Sequence, residues 1–147
     1  MKGLFHQAIP IYENNYKYYS FDKDNFRKIN AGISLANAFI ESQELELSFP
    51  ILKQVTLQND SVNSYPDKAI NTLYAYETWA KYYSQKHDFA LANTYEKKRA
   101  TTLIEVSDAY RLRTTKLNEH LSSYAQQRAN QTIQQEKEYA YPHVSPK

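Results

Sequence analysis

The chain has 147 residues, 41% of them hydrophobic, with a formal net charge of +2 and a pI near 8.6. That length suits one domain or a piece of a longer repeat array, and so mild a charge gives no argument for nucleic acid or a membrane surface as partner. The absence of Cys excludes disulfides, thiol catalysis and Cys-based zinc sites.

Fourteen Tyr, against six Phe and one Trp, make up much of the apolar content. A Tyr ring fills a groove while its hydroxyl stays near water or a partner. Together with a mean hydropathy of −0.76, this suits a thin, layered structure with much surface. Gly occurs only at positions 3 and 32, too few for a fold with many tight turns. Long Ala/Leu/Glu/Lys/Gln segments point to an all-α fold. No apolar run approaches the ~20 residues of a membrane span. The opening MKGLFHQAIPIY is broken by His6, Gln7 and Pro10 and does not read as a signal peptide. The expectation is a soluble, cytoplasmic protein with no membrane partner.

Taken in order, Leu4–Tyr19 reads as the first helix, with Ala8, Ile11, Tyr12, Asn15 and Tyr19 at helical spacing. Pro10 weakens its early turns. Asp22 or Asp24 then supplies an N-cap. The second helix spans Asn25–Glu41, with Phe26, Ile29, Ile33, Ala36, Phe39 and Ile40 as its apolar face. After a break at Ser42 and Gln43, the third spans Glu44–Gln58. It carries Leu45, Phe49, Leu52, Val55 and Thr56 on one side, and Pro50 should bend it or delay its start. Ser64, Pro66 and Asp67 form a helix-start signature. The fourth helix runs from there to Gln85, carrying Ile70, Leu73, Tyr76, Trp79, Ala80 and Tyr83. Asp88 caps the fifth, whose first face is Phe89, Ala92 and Tyr95. Nothing stops this helix before Gln127, since no Pro or Gly lies between Pro66 and Pro142. Leu103, Tyr110, Leu117 and Tyr124 recur every seven residues, with Val106 in the companion position. Arg113, His120 and Gln127 fill that position later, so the seam is a poor coiled coil. From Gln126 onward few groups can be buried, and a fraying tail is expected.

Within Tyr76–Tyr95 the pattern Tyr76-x2-Trp79-Ala80-x2-Tyr83, then Ala92, resembles the tetratricopeptide repeat (TPR). Upstream, Leu35-Ala36-x2-Phe39, then Ser48-x3-Leu52, repeats it. In both, twelve residues separate the two small residues, Ala36 from Ser48 and Ala80 from Ala92. Only small side chains let paired helices approach closely across the turn. Ala8-x3-Tyr12 looks like half of a further unit. The interval from Ala36 to Ala80 is 44 residues, longer than the roughly 34 of the standard repeat. Gly32 and Glu96 stand where the pattern has aromatics, and Ile104 where it has a closing Pro.

The resemblance implies an all-α array of antiparallel helix hairpins, about two and a half repeats, ending in a long C-terminal helix. The expected organisation is a repeat array over 1–104, an extended helix over 105–135 and a disordered tail over 136–147. In such arrays the first helix of each pair lines a concave groove that binds peptide or protein. Carried onto this chain, the groove residues are Asn30, Asn37 and Glu41, then Tyr74, Glu77, Lys81 and Gln85. Asn37 is the leading candidate, because an amide both donates to and accepts from an extended backbone. The basic clamp that this family uses for acidic peptide termini is not reproduced, since Glu41 and Glu77 accompany Lys81. The layout also resembles the TPR segments of bacterial signalling and regulatory proteins.

No GxGxxG, P-loop, HExxH, GxSxG or EF-hand pattern occurs. The four His are scattered, and His87 beside Asp88 reads as part of a turn. Glu41, Glu44 and Glu46 read as a solvated helix end. The excess of Lys and Arg over 97–128 reads as a solvated face rather than a nucleic-acid surface. The expected function is therefore a protein- or peptide-binding adaptor or sensor module, with no catalytic residues, metal or cofactor. The alternative is a structural or dimerisation fragment whose long helix pairs with a second copy or links to an output domain.

Overall fold

The computed structural model describes residues 2–20, 25–63 and 67–140, and these form five helices with no strand among them. They are α1 (Lys2–Tyr19), α2 (Asn25–Glu41), α3 (Leu45–Asp60), α4 (Asp67–Gln85) and α5 (Phe89–Ala140). The expected caps at Asp22 or Asp24, and Ser64 and Pro66 of the α4 start signal, lie outside the described residues. The chain forms two compact units, Met1–Ser107 and Asp108–Lys147.

In the first unit α2 is central, packing against α1, α3 and α4. It therefore buries more than one face. Ile29, Ile33, Ala36 and Ile40 join Leu52 and Val55 of α3 with Ala75, Trp79 and Tyr82 of α4. Leu35, Ala38 and Phe39 meet Ile9, Tyr12 and Tyr16 of α1. The α1 face differs in part from expectation: Tyr12 turns inward as expected, but Ile11 and Asn15 are exposed, and Ile9 and Tyr16 face the core. The set 9, 12, 16 has the i, i+3, i+7 spacing that faces one neighbour. Gly32 sits where three helices crowd. A Cβ there would overlap Val55 Cγ1 and lie 2.9 Å from Tyr16 Cε2.

Pro10 lies inside α1 and Pro50 inside α3. The start of α3 shifts by only one residue from expectation, so Pro50 does not delay it further. The α4 face also differs. Asn71, Ala75, Thr78 and Tyr82 are buried there with Trp79 and Ala80, whereas Ile70, Leu73, Tyr76 and Tyr83 are only half-buried. Buried Asn71 is bonded on both sides: its Nδ2 donates to Phe26 O at 3.3 Å, and its Oδ1 accepts from Asn30 Nδ2 at 3.4 Å. Thr78 Oγ1 donates to Tyr74 O within its own helix at 2.8 Å.

Two hairpin turns share one geometry. After α2, Gln43 N donates to Ile40 O and Glu44 N to Phe39 O. After α4, His87 N donates to Ser84 O and Asp88 N to Tyr83 O. Each is the double-bonded Schellman ending. Each also carries a non-Gly residue in the left-handed region, Gln43 at φ 63° and His87 at φ 60°. Those residues are 44 apart, the interval already seen between Ala36 and Ala80. Ala36, Ser48, Ala80 and Ala92 are all buried. Asp88 Oδ1 accepts from Leu91 N at 3.2 Å, capping α5 as expected.

Beyond that cap, Ala92 and Tyr95 face α4, but Phe89 is exposed, its ring against His87 instead. Tyr95 stacks on Trp79 at 5.9 Å and on Tyr83 at 5.7 Å. Phe49 and Tyr82 meet the Trp79 ring edge-on, each at 5.8 Å. The indole Nε1 donates to Thr56 Oγ1 at 2.9 Å. Trp79, 6% exposed, is thus hairpin packing rather than an open aromatic box.

The second unit contains the rest of α5. From Tyr110 to Ala140 every residue is exposed, and the helix continues through Gln126–Ala140, where the composition suggested fraying.

Candidate functional site

The core on one side of α2 leaves a polar stripe on another: Asn30, Ser34, Asn37 and Glu41, spaced four, three and four residues apart. The α4 residues opposite are Tyr74, Glu77, Thr78 and Lys81. Between the two helices lies a cleft of about 280 Å³, lined by Asn30, Asn37, Tyr74, Glu77 and Lys81 together with Ile33, Ser34 and Thr78. Five of the seven groove candidates thus converge. Glu41 reaches the cleft through its ion pair with Lys81, at 3.3 Å. Gln85 does not join them. It lines a separate space of about 330 Å³ with Ala92, Asn93 and Glu96, which meets the first cleft at Lys81.

A third space, of about 230 Å³, lies between α1 and α2 and includes Tyr12, Asn15 and Tyr19. It shares Asn30 and Ser34 with the α2–α4 cleft. Ser34, Tyr12, Asn15 and Tyr19 were not among the sequence candidates. Ser34 had a readable signal, because it fills the one missing step of the Asn30–Glu41 stripe.

The cleft is bound together by its own polar groups. Lys81 Nζ donates to Asn37 Oδ1 at 3.2 Å and lies 4.0 Å from Glu77 Oε1. Asn30 is tied to Asn71 beneath it. Ser34 Oγ donates to Asn30 O at 3.0 Å, so its hydroxyl is partly engaged within α2. Asn37 keeps an amide group that both donates and accepts, and Tyr74 is 45% exposed.

The three glutamates near the first hairpin separate. Glu41 pairs with Lys81, Glu44 lies 3.5 Å from His6 Nδ1, and Glu46 lies 3.7 Å from Lys86 Nζ. The Lys86 ammonium is shifted upward from the ordinary lysine range, first by its hydrogen bond to Tyr82 and then by the charges around it. Among the described residues no group of three His, Asp or Glu comes together as a metal site would need. Nor is any described helix long and apolar enough to cross a membrane.

Compared with protein-family models, with curated proteins and with solved structures, the chain gives no match.

Proposed function

We propose that the chain is a cytoplasmic TPR-like module, an adaptor or sensor in a regulatory system, that binds an extended peptide or protein segment in the α2–α4 cleft. The observation that carries this is the convergence of Asn30, Asn37, Tyr74, Glu77 and Lys81, from two helices, on one cleft. Polar groups at several depths along an open cleft suit an extended backbone, which offers a donor and an acceptor at every residue. The recurrence of the hairpin and its turn at 44 residues supports the repeat reading. Selection from a random peptide library displayed on phage tests the proposal. Peptides enriched on the wild-type chain should lose binding to Asn37→Ala and Tyr74→Ala but keep it to Lys53→Ala, at an exposed α3 position outside the cleft lining. Equal binding to all of them would reject the cleft.

A second reading rests on α5. Tyr110, Leu117, Leu121 and Tyr124 are exposed on the second unit, and a second copy of the chain would cover them. Sedimentation equilibrium of wild type and Leu117→Glu tests it, a dimer lost in the variant being the supporting result.

A further inference from the structure

The groove stripe ends in a set of three charges. Lys81 Nζ is held by Glu41 at 3.3 Å, by Asn37 Oδ1 at 3.2 Å and by Glu77 at 4.0 Å. The ammonium donates one hydrogen bond to Asn37 Oδ1, and the two carboxylates flank it as ion pairs. An incoming carboxylate would meet two like charges beside this one cation. Two carboxylates against one ammonium leave the set with a formal charge of −1. Their side chains keep 31% to 46% of their exposure, so solutes reach them.

We infer that the α2–α4 cleft takes a peptide bearing a cationic side chain, and that Lys81 is an internal stand-in for that cation. This rests on the proposed peptide-binding reading and adds the charge of the ligand to it. An Arg guanidinium fits best, because its planar fork engages a carboxylate through two parallel bonds. It takes Glu77 and Glu41 from Lys81, whose flexible stem lets the ammonium swing into water. That movement also frees Asn37 Oδ1 to accept from the peptide backbone. Glu96, a carboxylate lining the adjoining space, is engaged by Arg99 at 3.0 Å. The cationic preference therefore resides in Glu41 and Glu77.

The inference predicts a sign that an ordinary groove lysine would not give: removing Lys81 strengthens binding. The probes are three fluorescein-labelled peptide pools with a common Ala/Ser/Tyr/Gly background, each carrying one Arg, one Gln or one Glu. Fluorescence anisotropy at low salt should show the Arg pool binding about tenfold tighter than the Glu pool, the scale of one charge-assisted hydrogen bond. The margin should shrink as salt is raised. Lys81→Met should tighten the Arg pool several-fold, and by more than it changes the Gln pool, which gains only the freed Asn37 Oδ1. Glu77→Gln and Glu41→Gln, which lose no packing, should each erase the preference for Arg. Glu-pool binding as tight as Arg-pool binding, or weaker Arg-pool binding by Lys81→Met, overturns the inference. If all three pools bind equally and Asn37→Ala removes all binding, the peptide reading stands and the charge inference falls. If no pool binds wild type or Lys81→Met, both fall.

Discussion

Gly32 shows how one residue decides the fit of three helices. Elsewhere in a helix, Gly→Ala is favourable by roughly 1 kcal/mol. Here the added methyl would overlap Val55 Cγ1 and crowd the Tyr16 ring. A β-branched neighbour has little freedom to turn aside, and overpacking of a close-packed core costs about 1–3 kcal/mol. Gly32→Ala should therefore destabilise the first unit, seen as a lower urea midpoint. Trp79 is the opposite case, a large ring enclosed by Phe49, Tyr82, Tyr83 and Tyr95. Trp79→Ala should cost about 3–5 kcal/mol, whereas Trp79→Phe keeps a ring but forfeits the bond to Thr56. A Trp79→Ala variant with unchanged melting but lost peptide binding would instead make Trp79 and its neighbouring tyrosines a binding box. Tyr95 and Tyr16 add a pH dependence. Burial raises both phenols above 10, and for Tyr95 the neighbouring Tyr83 and Tyr76 add to it. Groups whose folded pKa is raised contribute stability that is intact below the unfolded value and lost as pH rises through the folded one. The melting temperature should thus fall above pH 10, and less steeply in Tyr95→Phe.

At the scale of elements, the paired hairpin turns carry a removable strain. A left-handed conformation costs a non-Gly residue roughly 1–2 kcal/mol, and the greater chain entropy of Gly offsets about 0.5–1 kcal/mol of that. Gln43→Gly and His87→Gly should each stabilise the chain by about 0.5–1 kcal/mol in thermal denaturation, provided the Schellman bonds are kept. A loss of stability in either would mean that its side chain holds the turn. The bounds of α2 were legible because its apolar residues are aliphatic and broken by polar ones at helical spacing. The burying faces of α1 and α4 were less so. Tyr occurs at 12, 16, 18 and 19 in one and at 74, 76, 82 and 83 in the other, and a Tyr serves equally inside or outside. Asn71 was missed for another reason: what admits its amide to the core is a pair of partners on a different helix, Phe26 O and Asn30. The cleft was legible as far as the repeat resemblance and the stripe along each of α2 and α4 reach, which found Asn30, Asn37, Tyr74, Glu77 and Lys81. Gln85 belongs by spacing to the same stripe, but one turn further on it faces Asn93 and Glu96 of α5. That depends on how the hairpin closes, which spacing along α4 alone does not contain.

For the molecule as a whole, the two units differ in what holds them. The first has a continuous core from Ile29 through Leu52 to Trp79. In the second, helix α5 exposes every residue from Tyr110 to Ala140 and has no buried face of its own. Helices in water that lack such a face are marginal even when their propensity is high, since packing supplies most helical stability. Local ion pairs such as Arg111 with Asp108, at 3.2 Å, add only about 0.2–0.5 kcal/mol each. Amide hydrogen exchange should therefore separate the units at low protein concentration. Amides of Ile29–Ile40 should exchange only through opening of the core, and those of 110–140 much faster, through local fraying. Concentration then becomes the decisive variable. If a second copy covers Tyr110, Leu117, Leu121 and Tyr124, protection in 110–140 should rise with protein concentration while that of Ile29–Ile40 stays constant, because only association obeys mass action. In Leu117→Glu that rise should disappear. Protection of 110–140 that is slow to exchange and independent of concentration would contradict both expectations, and would mean that the helix is held by contacts within one chain.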